Sequence, residues 1–218
     1  KAFGLTLPLI TKSDGTKFGK TESGTIWLSA DKTSPYAFYQ FWINSADADV
    51  YNFLRYFTFL SVEEIEQIEQ EDKEAQGKPK AQSILATQVT RTVHGEQGLA
   101  AAIRITQALF SGELNDLSEN DYQQLAQDGL PSSILGEEQV AQLAQTPLTT
   151  LLANEGLAAS GKQVKDALQR KAVVINGREC SLEDNMNCEA IFAEENALFN
   201  RFHLVKVGKK KYHIFINQ

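Results

Sequence analysis

The chain has 218 residues, 42% apolar and 22% charged, which is ordinary for a soluble globular protein of one or two domains. No run of about 18 apolar residues is present, which excludes a spanning helix, and the first residues lack a signal-peptide core; Lys1 in place of Met reads as a start inside a longer protein. A net charge of -7 argues against a nucleic-acid partner for the whole chain, but residues 147–218 carry ten Lys plus Arg against eight Asp plus Glu, so the acidity lies in the remainder, much of it between Glu63 and Glu74.

In chain order, the apolar run 5–10 reads as a strand, followed by a Gly-, Thr-, Ser- and Lys-rich loop region to residue 32. Thr33-Ser34-Pro35 starts a helix with a hydroxyl cap and a preset proline, and residues 36–43 are so dense in aromatics that they are expected to pack on all sides. Asp47 or Asp49 is expected to cap a helix over 50–59. Ser61-Val62-Glu63-Glu64 is a capping box opening a polar helix that ends before Gly77-Lys78-Pro79. Helices follow over 80–93, stopping at His94-Gly95, then over 96–110, then over 118–127 with Gly129 as the stop. The pattern loosens at 137–147 into a linker with a short helix.

Beyond it come a helix over 148–154, a second over 161–171 capped by Ser160, and a β-rich run 172–175. Asn176-Gly177 is a tight-turn signal, and the chain closes with alternating strands over 202–207 and 212–216, joined by Gly208-Lys209-Lys210-Lys211. Cys180 and Cys188 have no CxxC spacing and read as reduced thiols; neither a disulfide nor a metal site is expected.

The loop Lys17-Phe18-Gly19-Lys20-Thr21 places two ammonium groups around a flexible glycine, an arrangement suited to charge shifting between phosphate oxygens. Taken alone, two lysines on a loop are more simply a solvated surface. A P-loop would need glycine where Asp14 stands, and an acid there opposes a phosphate. With Lys12-Ser13-Asp14-Gly15-Thr16 before it and Ser34-Pro35-Tyr36 after it, the loop resembles the KMSKS loop of class I aminoacyl-tRNA synthetases in the KFGKT form of the bacterial tyrosyl-tRNA synthetases. The resemblance is closest from residue 3 to 44, runs to the last residue, and matches the C-terminal half of that family. It implies that Lys17 and Lys20 are catalytic lysines of an ATP-binding loop formed by Lys17, Phe18, Gly19, Lys20 and Thr21, with Phe18-Gly19 replacing Met-Ser and Thr21 replacing the final serine. The family's HIGH motif has no counterpart here, since His94, His203 and His213 stand apart, so the chain alone is expected to be inactive.

A second cluster, Lys162, Lys165, Arg170 and Lys171, lies on the helix capped by Ser160, where Lys162 and Lys165 share a face. Charge on a helix is usually a solvated face, but a helix N-terminus also favours a phosphate. The order helix, helix, strand, Asn-Gly turn resembles a small RNA-binding domain shared by a ribosomal small-subunit protein, pseudouridine synthases and bacterial tyrosyl-tRNA synthetases. In that family it implies a grip on the long variable arm of the tyrosine tRNA, by shape and backbone. Lys206 with Lys209, Lys210 and Lys211 forms a third patch, either a solubilised hairpin protecting an edge strand or further phosphate contacts. The resemblance also places Asp47 and Asp49 near the anticodon, where carboxylates accept base N–H groups; helix capping is the plainer alternative.

The expectation is a mostly α-helical bundle followed by a small α+β RNA-binding domain: residues 1–32 as the edge of a catalytic domain, 33–136 as a helical anticodon-binding domain, 137–146 as linker and 147–218 as the RNA-binding domain. The resemblance implies a cytoplasmic tyrosine–tRNA ligase using ATP and Mg, homodimeric at full length, with tyrosine tRNA as partner and neither DNA nor membrane. No cofactor is expected bound to the chain itself, whose dimer surface would lie largely outside it, consistent with a monomer. The alternatives are a stand-alone non-catalytic RNA-binding regulator and a helical scaffold that binds proteins through the acidic segment.

Overall fold

A computed structural model of the chain describes residues 2–6, 9–18, 25–112, 114 and 116–217, which divide into two compact units, 1–103 and 104–218. In the first, Ser34 caps helix α1 (Pro35–Ile43) by accepting the Ala37 N–H, with Pro35 preset in the first turn. Tyr36, Phe38, Tyr39 and Trp42 are all buried on this one short helix. Helix α2 (Asp47–Phe57) begins earlier than expected. Its N-cap is Ala46, which makes no side-chain cap bond, so Asp47 and Asp49 lie inside the first turn rather than capping it. Carboxylates there are favoured by the helix dipole without serving as caps.

Helix α3 (Val62–Glu74) opens on the expected capping box, with Ser61 and Glu64 exchanging bonds of 2.7 and 3.2 Å. Part of its acidic face is neutralised locally: Glu69 meets Lys73 at 2.9 Å and Arg55 at 3.6 Å. Asp72 reaches forward to accept the N–H groups of Lys80 and Ala81, satisfying the start of helix α4 (Ala81–Ser111). Helix α4 breaks where His94-Gly95 foretold, because Gly95 takes a φ of 69° that a Cβ would oppose. Phe38, Trp42, Phe53, Leu54, Leu85 and Leu99 form the core of this unit. The strand expected over 5–10 is absent among its described residues, with Leu5 and Leu9 exposed and the nearest pairing an isolated bridge between Thr11 and Lys17. An apolar run becomes a strand only where a neighbouring edge takes its backbone hydrogen bonds.

The second unit begins inside α4. Helix α5 (Glu119–Gln124) widens into a π-helical turn over Leu125–Gly129 and leads into strand β1 (Ser132–Leu135). Helices α6 (Glu137–Leu143), α7 (Leu148–Asn154) and α8 (Gly161–Gln169) follow, then β2 (Val173–Ile175), β3 (Arg178–Cys180), α9 (Cys188–Ile191), β4 (Phe202–Val207) and β5 (Lys211–Asn217). The sheet order is β1-β5-β4-β2-β3, with β1 parallel to β5 and the other neighbours antiparallel. Asn176 and Gly177 both take positive φ, and Ile175 stands opposite Arg178, as a two-residue primed turn requires.

Strands β4 and β5 do not alternate in burial as expected: Phe202 to Val205 and His213 to Phe215 are buried in succession. The cause is cover on both faces. Val173, Val205 and Phe215 pack with Leu152, Val164 and Leu168, while Tyr122 of α5 stacks on Phe202 at 5.9 Å. Residues 137–146 hold α6, whose Leu143 belongs to the same core.

Two buried polar residues brace this unit. Arg104 clasps the fully buried Asp121 through two bonds of 2.7 and 2.8 Å, and Ser118 adds its N–H and hydroxyl to that carboxylate. Burial raises the Asp121 pKa, but the bonds from Arg104 and Ser118 outweigh it and hold the carboxyl below its ordinary value. His203 is fully buried, with the side-chain amides of Asn176 and Asn217 at 3.3 and 3.2 Å from its ring nitrogens. Burial pushes its pKa down to about 4, against a weaker upward pull from the Phe192 backbone.

A His whose folded pKa lies below its unfolded value near 6.5 resists protonation, so its contribution to stability is present at neutral pH and lost as pH falls from about 6.5 toward 4. In denaturant unfolding of the intact chain, His203 should account for about 2–3 kcal/mol of the stability lost between pH 7.5 and pH 4.5. His203→Gln should remove that part while lowering stability at neutral pH, and should leave the loss due to His94 and His213, whose pKa values burial also lowers.

Candidate functional site

The segment before Gly19 is a small hairpin built from its own backbone. Lys12 N–H donates to the Thr16 carbonyl at 2.8 Å, Phe18 N–H to that of Ile10 at 3.0 Å, and Gly15 N–H to that of Lys12 at 2.9 Å. Asp14 ties the tip by accepting both the backbone N–H and the hydroxyl of Thr16, and those two bonds hold its carboxyl below the ordinary range. Lys17 and Phe18 are neighbours at the end of the returning arm, and their environments differ. Lys17 is exposed, whereas the Phe18 ring enters a cluster of Phe41, Trp42, Phe53 and Phe57 at centroid distances of 5.0 to 6.0 Å. The aromatic of the KFGKT form therefore acts here as a packing anchor. Gly19, Lys20 and Thr21 lie outside the described residues.

The hairpin borders a cleft of about 730 Å³ lined by Lys12, Ser13, Phe18, Gln40, Asn44 and Asp49, among others. Gln40 and Asn44 were not singled out from the sequence. Their signal was readable, since they are polar residues four apart at the end of an otherwise aromatic stretch. The two acids of α2 occupy different environments: Asp47 is exposed and accepts the Gln82 side-chain N–H at 2.6 Å, whereas Asp49 is buried and accepts the Ser13 backbone N–H at 2.6 Å.

In the second unit Ser160 caps α8 by accepting the Gln163 N–H, and Lys162 and Lys165 are exposed on its outer face. The helix ends at Gln169, two residues short of the expected Lys171. Arg170 is the C-cap and Lys171 takes φ 52°, with its N–H on the Leu168 carbonyl and that of Ala172 on Ala167. This turn carries the chain back to the β4–β5 hairpin, where Gly208 N–H donates to the Ala172 carbonyl at 2.8 Å. As a result Arg170 shares a cleft of about 400 Å³ with Lys209, Lys210 and Lys211, some forty residues away in sequence. Lys206 is not part of that cleft: its ammonium lies 5.4 Å from the Tyr212 ring centre, and near Gly112 at the C-terminal end of α4, where a cation is favoured.

Residues 104–218 together hold eleven Lys plus Arg against fifteen Asp plus Glu, so the basic groups are gathered locally rather than making the unit cationic. Among the described residues, none of Lys162, Lys165, Arg170, Lys171 and Lys209 to Lys211 forms a salt bridge. By contrast Arg91 and Arg104 are engaged by Glu96 and Asp121. Cys180 and Cys188 are buried free thiols, and burial pushes both pKa values up to about 11. No group of three metal-ligating side chains stands together among the described residues, and no helix among them is long and apolar enough to cross a membrane.

Comparison with known proteins finds a family match for each part of the chain. Residues 1–111 match the family of class I tRNA synthetases (W and Y), and residues 121–215 match the tyrosine–tRNA ligase SYY-like C-terminal domain. A tyrosine–tRNA ligase of Aliivibrio fischeri is 54% identical over 216 residues, covering 99% of this chain and 48% of its own length. One of Escherichia fergusonii is 54% identical over 212 residues, covering 97% and 47%. The chain thus spans about half the length of the curated relatives it matches. A solved, C-terminally truncated mitochondrial tyrosyl-tRNA synthetase of Aspergillus nidulans is 33% identical, covers 44% of this chain and 27% of its own, and superposes with a TM-score of 0.38, too loosely to add to the sequence matches.

Removing the Phe18 ring should loosen the hairpin from the helices beneath it. Phe18→Ala is expected to lower the stability of the intact chain by about 2 kcal/mol, and Phe18→Leu by about half as much. Denaturant unfolding measures the loss. A red shift of the emission from Trp42, now 3% exposed, would place the opening at this cluster.

Proposed function

The chain belongs to the class I tRNA synthetases (W and Y), and from that membership we propose that it is the C-terminal half of a cytoplasmic tyrosine–tRNA ligase, homodimeric at full length, that joins tyrosine to its tRNA through a tyrosyl-adenylate. Lys17 and Lys20 act on ATP: their ammonium groups neutralise charge that builds on the phosphates as the tyrosine carboxylate attacks. What supports Lys17 in that role is its exposure on an arm that Phe18 seats firmly. Mg enters with the nucleotide, whose phosphate oxygens supply its ligands. The HIGH motif and the tyrosine pocket belong to the rest of the ligase, so this half alone does not activate tyrosine.

The helical region takes the anticodon, with the exposed Asp47 as an acceptor for base N–H donors. The α+β unit grips the long variable arm of the tyrosine tRNA. The observation that carries this second assignment is the meeting of Arg170 with Lys209, Lys210 and Lys211 at one cleft, without salt-bridge partners among the described residues. Four cations held by a helix C-cap and a hairpin present a charge surface matched to an RNA backbone, which is read by shape rather than base identity.

The test is binding of the chain to bacterial tyrosine tRNA, with and without the variable arm, across salt concentrations. Binding should require the arm and weaken steeply with salt. Arg170→Ala with Lys210→Ala should weaken it and reduce the logarithmic salt slope by between about one and two, as should Lys162→Ala with Lys165→Ala; an unchanged slope would remove that pair from the RNA surface. Binding indifferent to the arm would move recognition to the helical region.

A further inference from the structure

Asp49 is one of two acids on the same helical turn, yet it faces the lysine hairpin and not solvent. It is 5% exposed, its own N–H is bound by the Ala46 carbonyl, and its carboxylate receives the Ser13 N–H at 2.6 Å. Besides the larger cleft, it lines a second of about 600 Å³ together with Lys12, Ser13, Asn52 and Tyr56, so it stands in the wall between the two. The hairpin is thereby attached to the helices twice: at its tip through Asp49, and on its returning arm through Phe18. An aromatic contact sets depth but tolerates sliding and rotation, whereas a short bond from a backbone N–H to a carboxylate fixes a point and a direction.

We propose that Asp49 is a positioning residue for the adenylate-forming step, holding the Ser13 backbone so that the arm carrying Lys17 leaves the helices in one direction. The inference rests on the reading of Lys17 and Lys20 as lysines that act on ATP. Asp49 touches no substrate; it acts through Ser13. The two acids of α2 then divide their work, Asp47 facing outward toward RNA and Asp49 inward toward the loop. Displacing a catalytic cation by about 1 Å is enough to cost up to a hundredfold in rate.

The decisive experiment is tyrosine-dependent ATP–pyrophosphate exchange by the full-length ligase carrying Asp49→Ala or Asp49→Asn. Alanine removes the acceptor and should lower kcat about tenfold to a hundredfold, leaving the KM for tyrosine and the affinity for tRNA within twofold. Asparagine keeps a carbonyl oxygen for the Ser13 N–H and should restore most of the rate. Where alanine costs folding, Asp49→Ser serves the same purpose, its hydroxyl being too short to reach Ser13. Unchanged exchange in the acceptor-free variants overturns the proposal, and so does an equal loss in asparagine. A raised KM for tRNA with normal exchange would return Asp49 to anticodon reading.

Absence of exchange in the unmodified ligase would instead refute the ATP reading. The contact can still be judged in this chain from the amide proton resonance of Ser13. Asp49→Ala should shift it upfield and Asp49→Asn should not; a resonance identical in all three proteins overturns the contact itself.

Discussion

Burial of the Phe18 ring among Phe41, Trp42, Phe53 and Phe57 decides where the exposed Lys17 can be. Lys17, bridged to Thr11, directly precedes Phe18, and the two are left in opposite environments, the ring packed on the helices and the lysine exposed. Helices α1 and α2 supply the seat; Ser34 caps α1, and Asp72 of α3 accepts from the Tyr51 hydroxyl of α2 as well as from the start of α4. A loop that handles a polyphosphate needs cations that are free yet located. Rigid aromatic packing on one side of the chain meets that need without restraining the lysine side chain itself.

The second unit solves a related problem with a different device. Its central strands are buried on both faces, which leaves polar side chains such as His203 and His213 inside, and each finds partners. Asn176 serves the turn and the interior together: its side chain accepts the Leu204 N–H, donates to the Asn196 carbonyl and lies against His203. That interior fixes the β4–β5 hairpin and the end of α8 against each other, and the hydrogen bond from Gly208 to Ala172 brings their basic residues to one cleft. The buried histidine and the charge of the surface thus belong to one arrangement.

Local chemistry was legible in the sequence and long-range pairing was not. The caps at Ser34, Ser61 and Ser160, the break at Gly95 and the turn at Asn176-Gly177 were readable because each is set within four residues. The fate of residues 5–10 was misread because a strand needs a pairing edge distant in sequence. The start of α2 and the end of α8 fell within a turn of their expected places, set by local bonds to Ala46 and to Ala167 and Leu168 that residue type alone does not announce. Strands β4 and β5 looked half-buried because nothing near them announces that Tyr122, some eighty residues earlier, stacks on Phe202. Within the candidate sites, the residue types were apparent from the motif and the basic helix. The separate environments of Asp47 and Asp49 depend on the approach of the hairpin, which two residues of helical spacing cannot disclose.

Everything proposed for the first unit depends on this loop supplying the cations for tyrosine activation. The most direct measurement is tyrosine charging of tRNA by a chimera in which this chain follows the part of the Aliivibrio fischeri ligase that it does not match. Charging that is lost when Lys17 and Lys20 are both replaced by alanine, with tRNA binding retained, is the predicted result. A folded chimera that charges tRNA equally well without the two lysines would contradict it.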